Sequence, residues 1–292
     1  MRPRTAATAL ALLAAALPAR AQLAHDTITA DGRLREYYLA LPAAPDGHPA
    51  PLVVFLHGGG GNARGAAWRY GFDARALAGG AIVVYPEGVN GHWADGRDHF
   101  HDADDVAFIR ALLPRLAQRH RIDSARRFVA GHSNGGIMAF TLACRMPGVF
   151  AAVGTLGAAL PVNDVARCAN AKPVAVIAIH GTEDPLVPYD GGGARGLLLG
   201  ADANAAFWAK IDGCAAAPDS TTLRSPSPDD PTFVRRIAYA HCASGRTVLL
   251  YAIVGGVHGW PGEKGPLPEA IVGPRSEALE ASRLIWDFFA GK

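Results

Sequence analysis

The stretch RFVAGHSNGG, Arg127–Gly136, places a short apolar run directly before the pentapeptide Gly131-His132-Ser133-Asn134-Gly135. Ile137 to Arg145 then follows a helical pattern that stops at Pro147. A strand that passes at once into a helix through G-x-S-x-G forces a sharp turn. The serine at its tip is held in a strained backbone conformation, and its neighbours two residues away must be small to avoid a clash. The N–H groups opening the helix point toward the same place and favour a developing oxyanion. This pattern makes Ser133 the candidate nucleophile. It also predicts an α/β fold with a mostly parallel central sheet flanked by helices.

The rest of the chain agrees with that architecture, because apolar runs alternate with helical patterns. Arg35 to Leu41, Leu52 to Leu56, Ala81 to Tyr85 and Arg127 to Ala130 read as strands. So do Ala152 to Leu156, Val174 to Ile179, Phe233 to Tyr239 and Val248 to Ile253. Helices are expected over Asp104–His120, Asn204–Ile211 and Ser276–Phe289. The first has acids at its start and bases at its end, matching the helix dipole. Pro114 lies inside it and is expected to kink or break it. Arg224 to Pro231 (RSPSPDDP) reads as an exposed loop, and no repeat or second domain is evident.

Acid and base candidates follow two later strands. In this architecture the order is serine, then acid, then histidine. His180-Gly181-Thr182-Glu183-Asp184-Pro185 comes after VAVIAI, with Asp184 the preferred acid and Glu183 the runner-up. Gly255-Gly256-Val257-His258-Gly259-Trp260 follows VLLYAI and offers His258 as the base. His180 sits too close to the acid, and His241 adjoins Cys242. For the oxyanion, one donor is expected from the N–H of Asn134. The other is expected from the loop His57-Gly58-Gly59-Gly60-Gly61, with Gly59 first and Gly60 next. No phosphate-loop signature G-x-x-x-x-G-K-[ST] is present. His57 itself is read as structural.

Length and composition bound the remainder. The chain has 292 residues, half of them hydrophobic and 18% charged, enough for one sizeable core. Arg2 and Arg4, the apolar run Ala6–Leu17 and the small residues Ala19 and Ala21 read as a signal peptide over residues 1–21. The catalytic domain is then 22–292, and export to the periplasm or beyond is expected. Loss of the leader removes three arginines and no acid, turning 28 basic against 26 acidic residues into 25 against 26. A near-neutral chain without a basic stripe gives no reason to expect nucleic acid as a partner. No later segment is long and apolar enough for a transmembrane helix. Cys144, Cys168, Cys214 and Cys242 are expected to pair in an oxidising compartment. Four cysteines allow three connectivities, of which Cys144–Cys168 and Cys214–Cys242 are the local choice. Zinc is disfavoured because no C-x-x-C spacing occurs.

With those segments assembled, the sequence resembles a known group. PLVVFLHGGGGNA, IVVYPEGVNGHWADGR, DADDVAFIRALL, RRFVAGHSNGGIMAFTLACRMP, HGTEDPLVPY and VLLYAIVGGVHGWPG extend from about Pro51 to Gly262. Together they are similar to the secreted esterases grouped with type-1 polyhydroxybutyrate depolymerases and bacterial feruloyl esterases, within the α/β-hydrolases. The resemblance implies hydrolysis of small esters or oligoesters through an acyl-enzyme, without a cofactor. It places the family's nucleophile on Ser133, its acid on Asp184 and its base on His258. The family's LAC cysteine falls on Cys144, consistent with a partner at Cys168. The segment His92-Trp93-Ala94-Asp95-Gly96 departs from the usual SWNDG form. His99, His101 and Asp102 could pass for metal ligands, but an isolated H-x-H pair lacks a defining spacing and reads as a solvated loop, so no metal is expected. No counterpart of the polymer-binding appendage of many extracellular depolymerases is read in this sequence, so inefficient attack on solid polymer is expected. Trp93 and Trp260 are candidates for lining the acyl or alcohol pocket, with core packing as the alternative. The rival functions are a secreted peptidase of the same fold and an inactive fold serving as a binding module.

Overall fold

The computed structural model describes residues 23–43, 47–97, 103–193, 197–263 and 276–292. The expected leader and the His99, His101 and Asp102 cluster lie outside the described residues. Among the described residues, ten strands form one sheet. In chain order they are β1 (Ala24–Ala30), β2 (Arg33–Ala40), β3 (Ala50–Leu56), β4 (Ile82–Pro86), β5 (Ile122–His132), β6 (Ala152–Leu156), β7 (Ala175–Gly181), β8 (Asp219–Arg224), β9 (Phe233–Tyr239) and β10 (Val248–Val254). Their spatial order is β1-β2-β4-β3-β5-β6-β7-β10-β9-β8. The six strands from β4 to β10 run parallel to one another, and an antiparallel pair closes each edge.

Among the described residues, seven α-helices cover the two faces. They are α1 (Ala63–Tyr70), α2 (Phe72–Ala78), α3 (Asp105–Arg119), α4 (Asn134–Arg145), α5 (Val162–Val165), α6 (Ala201–Asp212) and α7 (Ala281–Phe289). Strand alternation divides the core between them. Leu52, Val54 and Leu56 pack with residues of α3, α4 and α6, while Val53 and Phe55 pack with residues of α1, α2 and α7. This explains why LVVFL is apolar throughout: a central parallel strand is covered on both sides. Phe55 is fully buried and lies 5.1 to 5.7 Å, between ring centroids, from Tyr70, Phe72, Tyr85 and Trp260. That cluster joins α1 to the segment after β10.

Several expectations are corrected. α3 runs unbroken through Pro114. Both Pro114 and Arg110, whose carbonyl loses its amide partner, are exposed to water, while Leu112, Leu113 and Leu116 anchor the buried face. The closing helix begins at Ala281 rather than Ser276. The Ser276 and Thr232 hydroxyls are hydrogen-bonded to each other at 2.6 Å, and Glu280 caps the helix by accepting from the Arg283 N–H. The strand before the elbow is eleven residues long, not four. The cysteines pair as expected, Cys144 with Cys168 and Cys214 with Cys242, across 24 and 28 residues. In the chain-entropy model each loop closure stabilises the fold by about 3 kcal/mol.

Candidate active site

Ser133 lies between β5 and α4 with φ 54° and ψ −126°. Such a conformation is costly for a residue with a side chain, and persists only where its surroundings enforce it. Here the Ser133 N–H donates to the Leu156 carbonyl at 2.9 Å, and its own carbonyl accepts the Ile137 N–H at 2.9 Å. Close packing explains the glycines. A Cβ on Gly135 would stand 2.3 Å from the Leu56 carbonyl oxygen, and one on Gly131 would stand 2.5 Å from the Gly135 carbonyl.

Asp184 follows β7 and His258 follows β10, so both hang from the carboxyl end of the parallel strands, as does Ser133. The His258 Nδ1–H donates to Asp184 Oδ2 at 2.6 Å. Asp184 Oδ1 accepts the N–H groups of Leu186 at 2.9 Å and Val187 at 2.8 Å. Burial pushes this carboxyl up, but the bonds from His258 and the backbone outweigh it and hold the group below the usual carboxylate range. It is therefore an anion at neutral pH. Glu183 is exposed, so of the two acids it is Asp184 that reaches the histidine. Gly157 completes the close approach: with φ 59°, it would put a Cβ 2.9 Å from the His258 ring.

Ser133 and His258 line one cleft of about 470 Å³ together with Gly58, Gly59, Gly60 and Gly61. The Gly60 N–H donates to the Gly91 carbonyl at 2.9 Å, which leaves Gly59 the better-placed donor of the two. A Cβ on Gly59 would lie 3.5 Å from the Asn134 Cβ, so this loop packs against the first turn of α4. The buried Asn134 side chain is taken up by bonds to the Trp93–Asp95 segment. Its Oδ1 accepts the Trp93 N–H at 2.8 Å, and its Nδ2 donates to the Trp93 carbonyl at 3.1 Å and to Asp95 at 2.5 Å. His57 is neutral and structural. Burial lowers it to about 4, its Nδ1 donates to the Gly58 carbonyl, and its Nε2 accepts the Gly88 N–H. His180 is buried behind the acid, with Nε2 donating to the Val187 carbonyl at 2.8 Å.

The two tryptophans read as pocket-lining residues are not. Trp93 and Trp260 are both fully buried. Trp93 donates its indole N–H to the His57 carbonyl at 2.9 Å, and Trp260 donates to the Ser282 hydroxyl at 3.1 Å. Trp93 therefore braces the glycine loop at His57, and Trp260 ties the segment after His258 to α7. The exposed aromatic in the cleft is Trp68 on α1, with Leu186 also at the rim. A larger groove of about 870 Å³, lined in part by Leu41, Leu77, Ile82 and His120, contains none of the candidate catalytic side chains. Volume alone therefore does not locate the chemistry.

A parallel sheet with a serine elbow after β5, an acid after β7 and a histidine after β10 defines the α/β-hydrolase class. Within that class, residues 35–186 match the family model described as Esterase PHB depolymerase, and the chain belongs to that family. It is 32% identical to "Putative esterase NocK" of Nocardia uniformis subsp. tsuyamanensis over 89% of this chain and 80% of that protein. It is 38% identical to feruloyl esterase C of Emericella nidulans over 54% of this chain and 58% of that protein. Its fold is shared with acetyl xylan esterase from Aspergillus awamori at a TM-score of 0.62 and 15% identity, over 92% of this chain and 100% of that one. The chain is a serine esterase of the α/β-hydrolase fold.

Proposed function

We propose that the protein hydrolyses carboxylic esters through an acyl-enzyme on Ser133. The observation that carries this reading is the 2.6 Å bond that His258 donates to Asp184, in a cleft that His258 shares with Ser133 and the glycine loop. Ser133 Oγ attacks the ester carbonyl and His258 Nε2 takes its proton. The negative charge developing on the carbonyl oxygen is held by the N–H groups of Asn134 and Gly59. His258 then gives the proton to the departing alcohol. A water molecule, activated by the same histidine, releases the acid and restores the serine. Asp184 stays ionised throughout, fixes the tautomer of His258 and stabilises its charged form. No cofactor enters this sequence.

The substrates proposed are soluble esters with small or single-ring acyl groups: short aryl esters, hydroxybutyrate oligomers or feruloyl esters. The match to the depolymerase family and the likeness to a feruloyl esterase support that range. Export is also proposed, supported by the basic and apolar opening of the sequence and by the two disulfides. Among the described residues no helix is long and apolar enough to cross a membrane.

The test is a panel of aryl, feruloyl and hydroxybutyrate esters offered to the purified protein, with fluorophosphonate labelling alongside. Ser133→Ala should abolish labelling and lower kcat on the order of 10⁴-fold or more with the fold intact. Asp184→Asn should be nearly as harmful, and Glu183→Gln should leave the rate close to normal. A larger loss from Glu183→Gln than from Asp184→Asn would reassign the acid.

A further inference from the structure

We infer that His132, the residue between the elbow glycine and the nucleophile, is a positioning residue that locks the loop carrying His258 to the turn carrying Ser133. The inference rests on the esterase reading above. His132 is the last residue of β5 and pairs in register with Leu156 of β6, so its backbone belongs to the rigid sheet. His258 lies outside any strand or helix. Its imidazole is held by Asp184, but that bond restrains only the ring. Its backbone carbonyl is bonded by His132 Nε2, at 3.1 Å.

The chemistry of the two contacts fixes the state of His132. A carbonyl oxygen only accepts, so Nε2 must carry the proton. In a neutral ring Nδ1 is then an acceptor, and the Tyr70 hydroxyl sits 2.9 Å from it. Burial, and next the nearby His258, push His132 down to about 3, so it stays neutral when His258 becomes charged. The His132 and His258 ring centroids lie 4.9 Å apart, and Trp260 meets His132 edge-on at 5.8 Å. The side chain next to the nucleophile thus sets where the base stands. An attacking oxygen and its base displaced by about 1 Å can cost on the order of a hundredfold in rate.

The experiment compares His132→Leu, which removes both ring nitrogens, with His132→Gln, whose amide can donate from nearly the position of Nε2. Tyr70→Phe, which frees the tautomer, is the third variant. On a soluble nitrophenyl ester, His132→Leu should lower kcat roughly ten- to a hundredfold with KM within about threefold. His132→Gln should recover most of that loss, and Tyr70→Phe should lower kcat several-fold without changing KM. The downfield proton resonance of the His258–Asp184 bond should be sharp in the parent, broadened in His132→Leu and restored in His132→Gln. Folded Leu and Phe variants with parental kcat and an unchanged resonance would overturn the inference. Should His132→Leu not fold, a folded Tyr70→Phe variant that keeps parental kcat and an unchanged resonance overturns it on its own. A parent protein that neither hydrolyses esters nor labels with fluorophosphonate would sink the esterase reading instead. The resonance would still decide whether His132 holds the loop.

Discussion

Trp68 is 47% exposed and Leu186 is 59% exposed, yet both line the cleft that holds Ser133 and His258. An exposed indole beside a catalytic cleft offers a flat apolar face to a substrate ring, worth about 1 kcal/mol or somewhat more. Trp68→Ala should therefore raise KM for aryl or feruloyl esters roughly five- to tenfold, leave kcat within about threefold, and change KM for short aliphatic esters much less. Equal KM changes for ring-bearing and aliphatic esters would remove Trp68 from the binding site. The proposed catalytic residues could be picked from the sequence because each sits in a motif whose spacing has a mechanical cause: the elbow glycines, the acid after β7, the histidine after β10. The pocket was not. Trp93 and Trp260 adjoin those motifs in sequence, but adjacency does not say whether a side chain points up into the cleft or down into the core. Trp68 lies in a Gly- and Ala-rich stretch with no chemical signature, and only the packing of α1 on the sheet brings it to the rim. The contact from His132 to the His258 carbonyl was equally hidden, since it joins residues 126 positions apart.

Elements buried on both faces announce themselves, and elements at the edges do not. LVVFL and VAVIAI are continuous apolar runs, and both are central strands. β8 is exposed at every residue and gave no apolar alternation to read. β1 had a readable sign in Asp31-Gly32, whose φ angles of 54° and 67° suit a tight hairpin turn. α1 had one in Asn62, whose side chain accepts the Gly65 N–H at 2.7 Å. One element carries a testable cost. Asp212 ends α6, where the helix dipole disfavours a negative charge. It is 1% exposed; Oδ1 accepts the Val174 N–H, while Oδ2 has no hydrogen-bond partner. Burial pushes this carboxyl up to about 6, with the Val174 N–H and Arg246 pulling it partly back. The native state thus holds the proton more tightly than the unfolded chain, whose pKa is near 3.8. The sign follows: this group's contribution to stability declines as pH rises from about 4 to about 6 and stays low above that. Asp212→Asn removes the titration, so its effect on Tm should be more favourable at pH 8 than at pH 4 by about 3 °C or more. A pH-independent Tm difference between the two proteins would count against a raised Asp212.

At the scale of the whole molecule, the open question is whether the ester is met in solution or on a solid. An enzyme that works on a solid polymer must first adsorb, and adsorption draws on a contiguous exposed apolar patch, commonly several hundred Å². Among the described residues the exposed large hydrophobics are Leu34, Leu41, Trp68, Val162, Leu186 and Leu223. Leu34 lies on β2 and Leu223 on β8, strands near opposite edges of the sheet, so neither extends an apolar surface around the cleft. Only Trp68 and Leu186 of the six line the cleft itself, enough to grip one substrate ring but little to hold a surface. Charge adds no long-range attraction, since the chain without its first 21 residues is balanced to within one unit. The expected outcome is a strong preference for dissolved hydroxybutyrate oligomers or monomeric aryl and feruloyl esters, with much slower turnover of a suspended polyester film at matched ester content. Released acid, measured over time against both forms, decides the matter. A second measurement separates adsorption from chemistry: depletion of Ser133→Ala protein from solution by the same film. Slow turnover with little depletion fits a molecule that lacks an adsorbing face. Equal rates on film and oligomer would mean that the cleft rim alone suffices to engage a solid, and the preference for soluble esters would have to be given up.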